Sequence, residues 1–419
     1  MRGPLWAGLD VGVETTAICV INAAGSTVHE ATCPTRLKSV HRELACLRRR
    51  KSARVGLEAA TGTMLARGLR NLGYQVDLYE QRQLSKFLRL RRNKTDAGDA
   101  LGIAEAGRLG AATISKVHIK NLDCQCLSSR LTIRRHLIRQ RVALVNLLGR
   151  QLEVFGGRLQ RRNLGSLRRN VEREISSIFG RAPNEFVAEL RSLVAHCEIL
   201  IDYQRKVDSE LKRVASGNQI CRRLMEIPGV GPLCALTFYA VVSEPERFAR
   251  SADIGPYLGL TPRLNQSGLS SKTGRISKMG NRAARTLLVS SSNAFMRWAT
   301  PDSDLRLWAA KVESRRGTMK ARIALARKLS IVMLAIWKNG TSYRDRLMPV
   351  NDDADQRSVG LDLVQCEAEK HDLPSKTSPA DRAGSGAACA FDGLSDRLGD
   401  RDESAGRRHV PELVREQLT

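Results

Sequence analysis

The stretch LWAGLDVG, Leu5–Gly12, decides the fold. Its apolar run reads as a first strand with one carboxylate, Asp10, near its end. Thr16–Asn22 and Ser26–Cys33 read as two more strands, close enough in sequence to form a meander with the first. Working outward, Val40–Arg49 reads as a helix with basic residues at its end, and Val55–Glu58 as a short buried strand. Met64–Leu72 reads as a helix stopped by Gly73, and Tyr74–Tyr79 as another strand. Two helices follow, the second opening at NKTDAGDA, Asn93–Ala100.

The order βββαβαβα is that of the RNase H fold. There the first strand is central, and its Asp faces a later strand Glu and a late helical Asp. In this chain those are Asp10, Glu58, Asp96 and Asp99. Carboxylates three apart on a helix share one face. Hard divalent cations prefer carboxylate oxygens, and two such ions can clamp the attacking and leaving oxygens of a phosphoryl transfer. Singly, each residue has a plainer reading: a strand-end Asp is often a turn residue, and Thr95-Asp96 can simply cap a helix. The ordered set carries the expectation of a metal-dependent phosphodiester site.

Composition points to the same substrate class. Net charge is +26, and the sequence pI is about 10.3. Residues 351–419 carry 15 acidic and 9 basic side chains, a net of −6, which leaves +32 on residues 1–350. That excess suits a polyanionic partner, because each phosphate contact releases counterions. Aromatics are only 4% of the chain, too few for a base-stacking platform, so contacts should fall on backbone phosphates. None of the ten cysteines forms a zinc-like pair of C-x-x-C motifs; they read as free thiols of a reducing cytoplasm. No secretory leader and no membrane-length apolar run is present, so a cytoplasmic location is expected.

Residues 1–115 thus read as an α/β domain. Residues 116–217 hold two long amphipathic stretches, Leu122–Phe155 and Val187–Ala215, read as a helical hairpin or coiled coil used for assembly. Residues 218–345 read as a second compact, mostly α unit. It opens with LMEIPGVGPLCAL, Leu224–Leu236, the pattern of a helix-hairpin-helix. There Gly229 and Gly231 let a helix start present amides to a phosphate, or simply make a tight turn. Residues 346–419 change to Ser, Gly, Ala, Asp and Arg, and read as a disordered acidic tail.

These motifs together resemble the DEDD transposases of the insertion sequence 110 family, relatives of the Piv-type DNA invertases. The resemblance covers residues 5–345. It rests on Gly8–Gly12, Gly56–Ala60 and Arg92–Ala100, then on Ile227–Gly231, Leu258–Arg263, Gln266–Gly268 and Gly274–Asn281. It implies a RuvC-like (RNase H-like) domain, a helical coiled-coil segment and a smaller transposase domain. The metal-binding carboxylates would be Asp10, Glu58, Asp96 and Asp99, holding Mg2+ or Mn2+. The catalytic serine would be Ser267, in the Ser-Gly pair after Thr261-Pro-Arg263. The implied partners are double-stranded DNA at element ends and target, a bridge RNA, and further copies of the chain in a dimer or tetramer.

No histidine lies near Ser267 in sequence, the nearest being His196 and His371, so a Ser-His-Asp triad is unsupported. The resemblance implies instead a composite site in which the carboxylates hold the metal and the second domain brings Ser267, with a phosphoserine link as intermediate. Arg263, Lys272, Arg275, Lys278, Arg282 and Arg285 surround the serine in sequence and would neutralise phosphates. Two finer alternatives are a site-specific invertase and a RuvC-like magnesium-dependent nuclease using water. Two other classes compete: an actin-like kinase or ATPase, suggested by Gly8-x-Asp-x-Gly12, and a decayed, non-catalytic nucleic-acid-binding protein.

Overall fold

A computed structural model describes residues 3–47, 53–59, 62–90, 94–110, 114–159, 164–178, 180, 182–267 and 270–344. The acidic segment read as disordered, 346–419, lies outside them. Strands β1 (Trp6–Val11), β2 (Thr15–Ile21) and β3 (Thr27–Pro34) form an antiparallel meander. Helix α1 (Leu37–Glu43) leads to β4 (Arg54–Glu58), and α2 (Thr63–Asn71) leads to β5 (Gln75–Tyr79). β4 pairs parallel to β1, and β5 parallel to β4. Helices α3 (Gln81–Leu88) and α4 (Asp96–Leu109) follow, and the two-residue β6 (Lys116–Val117) adds antiparallel to β5. The sheet order is β3-β2-β1-β4-β5-β6, so β1 is interior. This mixed sheet is consistent with an RNase H-like arrangement.

Strand alternation sorts the two faces. Ala7, Leu9, Val55 and Leu57 pack with Val40 of α1 and with Ala66 and Leu69 of α2. The intervening residues Gly8 and Gly56 face α4. A Cβ on Gly8 would lie 2.0 Å from the Ala100 carbonyl oxygen and 2.3 Å from the Ala104 nitrogen, so α4 rides directly on the backbone of β1. Asp10 and Glu58, two residues further along their strands, carry the same facing to the end where α4 begins.

The helix expected over Val40–Arg49 is different. It starts earlier, at Leu37, and after Glu43 tightens into a 3-10 turn over Leu44–Leu47; 48–52 lie outside the described residues. Val40, Leu44 and Leu47 stay buried.

The two amphipathic stretches form α5 (Leu122–Val154) and α7 (Asn184–Gly217), with α6 (Leu167–Ser177) between them. α5 and α7 run antiparallel: Arg134 pairs with Asp208, Arg141 donates to Gln204 at 2.6 Å, and Leu148 and Leu152 cluster with Leu190 and Val194. At 1.5 Å per residue each helix spans roughly 50 Å. α6 covers the far end through Leu167, Val171 and Ile175.

The near end joins a second core through Leu127, Leu211 and Ala215. That core is built from α8 (Gln219–Met225), α9 (Pro232–Val242), α10 (Ile254–Leu258), α11 (Arg282–Trp298), α12 (Asp304–Arg316) and α13 (Thr318–Asn339). The non-helical piece is a hairpin, β7 (Pro262–Ser267) and β8 (Ser270–Ile276). Among the described residues no helix is long and apolar enough to cross a membrane. Seven cysteines there are free thiols, six of them buried.

Candidate functional site

Four carboxylates lie along one edge of the sheet. Leu9 pairs with Leu57 in the parallel β1–β4 ladder, which sets the next residues, Asp10 and Glu58, side by side at the strand ends. Asp96 and Asp99 sit in the first turn of α4. Thr95 fixes that start: it is extended at φ −137° and its hydroxyl accepts from the Gly98 amide at 3.0 Å. Such a cap is worth about 1 kcal/mol, and the helix dipole favours acids in the first turn. The close approach at Gly8 then anchors the helix over Asp10.

The carboxylates act on one another electrostatically. Burial pushes the Asp10 carboxyl above its ordinary value, and the charges of Asp99, Asp96 and Glu58 push it further. Burial also raises Glu58, with a smaller push from Asp99, against a lowering hydrogen bond from Gln81. Lys94 opposes both shifts, and its Nζ lies 3.9 Å from Asp99 Oδ2. The donor set suits a hard divalent cation: oxygen ligands only, with repulsion that a cation would relieve. Among the described residues, no three His, Cys, Asp or Glu groups converge as a ready-made metal site.

Ser267 ends β7 and pairs with Ser270 across a two-residue loop, 268–269, that lies outside the described residues. Every residue of β7 is exposed. Ser267 makes no hydrogen bond to any of the four carboxylates among the described residues. Arg263, Arg275, Lys278 and Arg282 are exposed around the hairpin and its base; the side chain of Lys272 lies outside the described residues. Between Thr261 and Arg285 the sequence has six basic residues and no acidic one, so this surface has no internal counter-charge.

Not every cation here is free to meet a phosphate. Arg285 donates from one Nη to the carbonyls of Leu258, Met279 and Gly280 at 3.0, 3.3 and 3.0 Å, tying the end of α10 to the loop before α11. Arg263 donates to the Ser277 carbonyl at 3.0 and 3.3 Å and braces the hairpin base. Gly259 and Gly280 interlock there: a Cβ on Gly259 would stand 1.9 Å from the Met279 carbonyl oxygen. Gly229 has φ +81°, and a Cβ on it would lie 2.6 Å from the Phe295 nitrogen of α11. Its glycine is therefore required by packing. Gly231 caps α9 without crowding and leaves that helix start open.

Three side chains at this edge were not singled out from the sequence. Lys94 stands two residues before Asp96 in the same motif. Gln81 and Arg82 begin α3, just past the β5 end that aligns with Glu58. Arg82 matters because its charge, after burial and Arg282, lowers the Arg285 guanidinium. Gln81, beside it, donates a hydrogen bond that lowers Glu58.

Comparison with known proteins follows the same two halves. Residues 7–155 match a transposase family, the DEDD transposases of IS110. Residues 221–306 match the family described as Transposase IS116/IS110/IS902. The chain is similar to the transposase for insertion sequence element IS1111A of Coxiella burnetii (strain RSA 493 / Nine Mile phase I), 29% identical over 342 residues, covering 80% of this chain and 90% of that protein. It is 28% identical over 280 residues to a probable family 20 transposase of Pseudomonas aeruginosa, covering 67% and 82%. It is 28% identical over 295 residues to the transposase for insertion sequence element IS1328 of Yersinia enterocolitica, covering 69% and 85%.

Proposed function

We propose, for this chain as a member of the IS116/IS110/IS902 family of insertion-sequence transposases, that it cuts and rejoins DNA strands at a composite site. Asp10, Glu58, Asp96 and Asp99 form one part and the Ser267 hairpin the other. The observation that supports the reading is the placement of Asp10, Glu58, Asp96 and Asp99 at one sheet edge, where the other three charges act on Asp10. A kinase reading has no use for the basic hairpin, and a decayed binding protein has no use for neighbouring, mutually repelling carboxylates.

The carboxylates would hold Mg2+ or Mn2+, which would supply charge neutralisation for the phosphoryl oxygens. Closing on the ion requires the side chains to draw together, since no three converge as they stand. Ser267 Oγ attacks a backbone phosphorus and loses its proton to water. A new O–P bond forms, the bond from phosphorus to the leaving deoxyribose oxygen breaks, and that oxygen takes up a proton. The reverse step on a partner strand rejoins the DNA, so no ATP is needed. Arg275, Lys278 and Arg282 neutralise the phosphates flanking the serine. Hinged movement of the exposed hairpin, or a second copy of the chain, completes the approach.

We extend the reading to the parts it implies: an RNase H-like domain over 1–115, an assembly segment over 116–217, a helix-hairpin-helix-bearing transposase domain over 218–345, and guidance by a bridge RNA. The test is a plasmid recombination assay. Asp10→Ala, Glu58→Ala, Asp96→Ala and Asp99→Ala are each expected to abolish recombination while retaining nucleic-acid binding. Full activity of Asp99→Ala would remove the metal assignment.

A further inference from the structure

A cavity of about 420 Å³ opens where the base of the α5–α7 hairpin, the start of α9 and one face of α11 meet. Its longest wall is a stripe on α11, Leu287, Ser291, Ala294 and Trp298, at helical spacing. Pro232 and Leu233 of α9 form the second wall, and Arg134, Asp208 and Lys212 the third. The walls are held in place without a ligand. Gly229 lets the turn before α9 press onto α11, Arg134 pairs with Asp208 across α5 and α7, and the Cys234 thiol is hydrogen-bonded to Ser291.

Trp298 stands at the rim, 72% exposed. The chain's other tryptophans are engaged: Trp6 packs on the sheet, Trp308 lies under the Lys328 ammonium at 4.1 Å, and Trp337 stacks on Tyr239 at 5.0 Å. Trp298 has no ring partner among the described residues. The rim charge is positive. Asp208 is taken up by Arg134 and by Gln204 Nε2 at 3.1 Å, whereas Lys212 is exposed and forms no ion pair among the described residues. An apolar slot, an open indole and a free ammonium match the base and the phosphate of one nucleotide. A slot of this size takes one unpaired base and excludes a duplex.

We propose that this cavity holds one unpaired nucleotide of a DNA strand, its base stacked on Trp298 and its phosphate beside Lys212. The proposal rests on the strand cutting and rejoining described above, because a strand that changes partner must first leave its complement. It does not depend on Ser267 or on a metal. Arg282, at the hairpin end of α11, is roughly 24 Å away at 1.5 Å per residue, so the cavity is separate from the serine hairpin. One ring serves one base and makes no platform, so the site adds a single base contact to a surface that otherwise meets phosphates.

The experiment uses the full chain with a twelve-nucleotide DNA single strand carrying a central 2-aminopurine, the same strand annealed to its complement, and the RNA of the same sequence. Anisotropy reads affinity, and quenching of 2-aminopurine reads stacking. Trp298→Ala is expected to weaken single-strand DNA binding on the order of five- to hundredfold, the range for one base stacked on an aromatic ring, and to lose the quenching. Trp298→Phe keeps most of both. Lys212→Met is expected to lower the salt slope for the single strand by about 0.7, one phosphate contact, and to leave the quenching in place. Duplex affinity should be unchanged in Trp298→Ala, and RNA affinity should change by less than twofold. Wild-type single-strand affinity and quenching in Trp298→Ala overturn the proposal, as does an equal loss on the duplex. A larger loss on RNA than on DNA overturns it and assigns the cavity to RNA. A clear fall in melting temperature or a changed oligomeric state in Trp298→Ala overturns it as well, and assigns the cavity to the chain itself or to a second copy. Duplex binding without single-strand binding by wild type sinks the nucleotide site alone, whereas no binding to any DNA sinks the reading beneath it too.

Discussion

Gly8 and Ala100 meet backbone to backbone: a methyl group on Gly8 would lie 2.0 Å from the Ala100 carbonyl oxygen. This contact sets α4 on β1, and so determines where Asp96 and Asp99 stand relative to Asp10. Gly8→Ala must push the helix away. It is expected to cost more than about 3 kcal/mol, at the upper end of core overpacking. The variant should melt far below wild type by calorimetry, or fail to accumulate as folded protein. Near-wild-type melting would mean that the helix is not held this closely.

Asp10 carries a charge that folding disfavours. Its folded-state value lies above the ordinary 3.8, from burial and then from its acidic neighbours. The folded chain therefore holds that proton more tightly than the unfolded chain. The cost of the charge is full at neutral pH and fades as pH falls through the raised value and below 3.8. Asp10→Asn should melt higher than wild type at neutral pH without metal, and the difference should shrink in acid. Saturating Mn2+ should reverse the order, because it stabilises wild type alone. A constant difference across pH would place the effect outside this carboxyl.

Arg282 and Arg285, three residues apart on one helix, should separate stability from binding. Arg285 holds three backbone carbonyls, whereas Arg282 is exposed. Arg285→Ala leaves partly buried acceptors without their donor and should cost about 1–3 kcal/mol. Arg282→Ala should leave melting within about 0.5 kcal/mol of wild type and weaken DNA binding instead. Denaturant unfolding and a filter-binding titration check the pair. The converse pattern would exchange their roles.

The net +32 over residues 1–350 and the scarcity of aromatics make affinity depend on salt. The affinity for duplex DNA should fall steeply, by at least tenfold, between about 50 and 200 mM monovalent salt. A flat dependence would point to base stacking or apolar contact.

Much of the site was legible because period-two alternation and a short motif carry it. Asp10 and Glu58 are strand-end acids in apolar runs, and Asn93–Ala100 announces a capped helix with two acids on one face. The end of α1 was not legible, since the turn at Leu44–Leu47 keeps the apolar positions buried without continuing the helix. Nor was the division of labour among the arginines. Arg263, Arg282 and Arg285 look alike in sequence, and only the carbonyls that Leu258, Met279 and Ser277 present distinguish them. The exposed β7–β8 hairpin also hid, because Pro262–Ser267 lacks the apolar alternation of a half-buried strand.

The central claim is that Ser267 is the nucleophile of a site whose metal is held by the carboxylates. The direct measurement is trapping of a protein–DNA adduct on a nicked suicide substrate with Mg2+ or Mn2+, resolved on a denaturing gel and mapped by mass spectrometry. Ser267 is exposed at a strand end, so Ser267→Ala should fold as wild type does and form no adduct. Ser270→Ala and Ser271→Ala should still form it, and Asp10→Ala should not. An adduct that persists in Ser267→Ala, or that maps to a tyrosine such as Tyr257, would contradict the account. Cleaved ends with no adduct in wild type would contradict it too, and would make the enzyme a water-using nuclease.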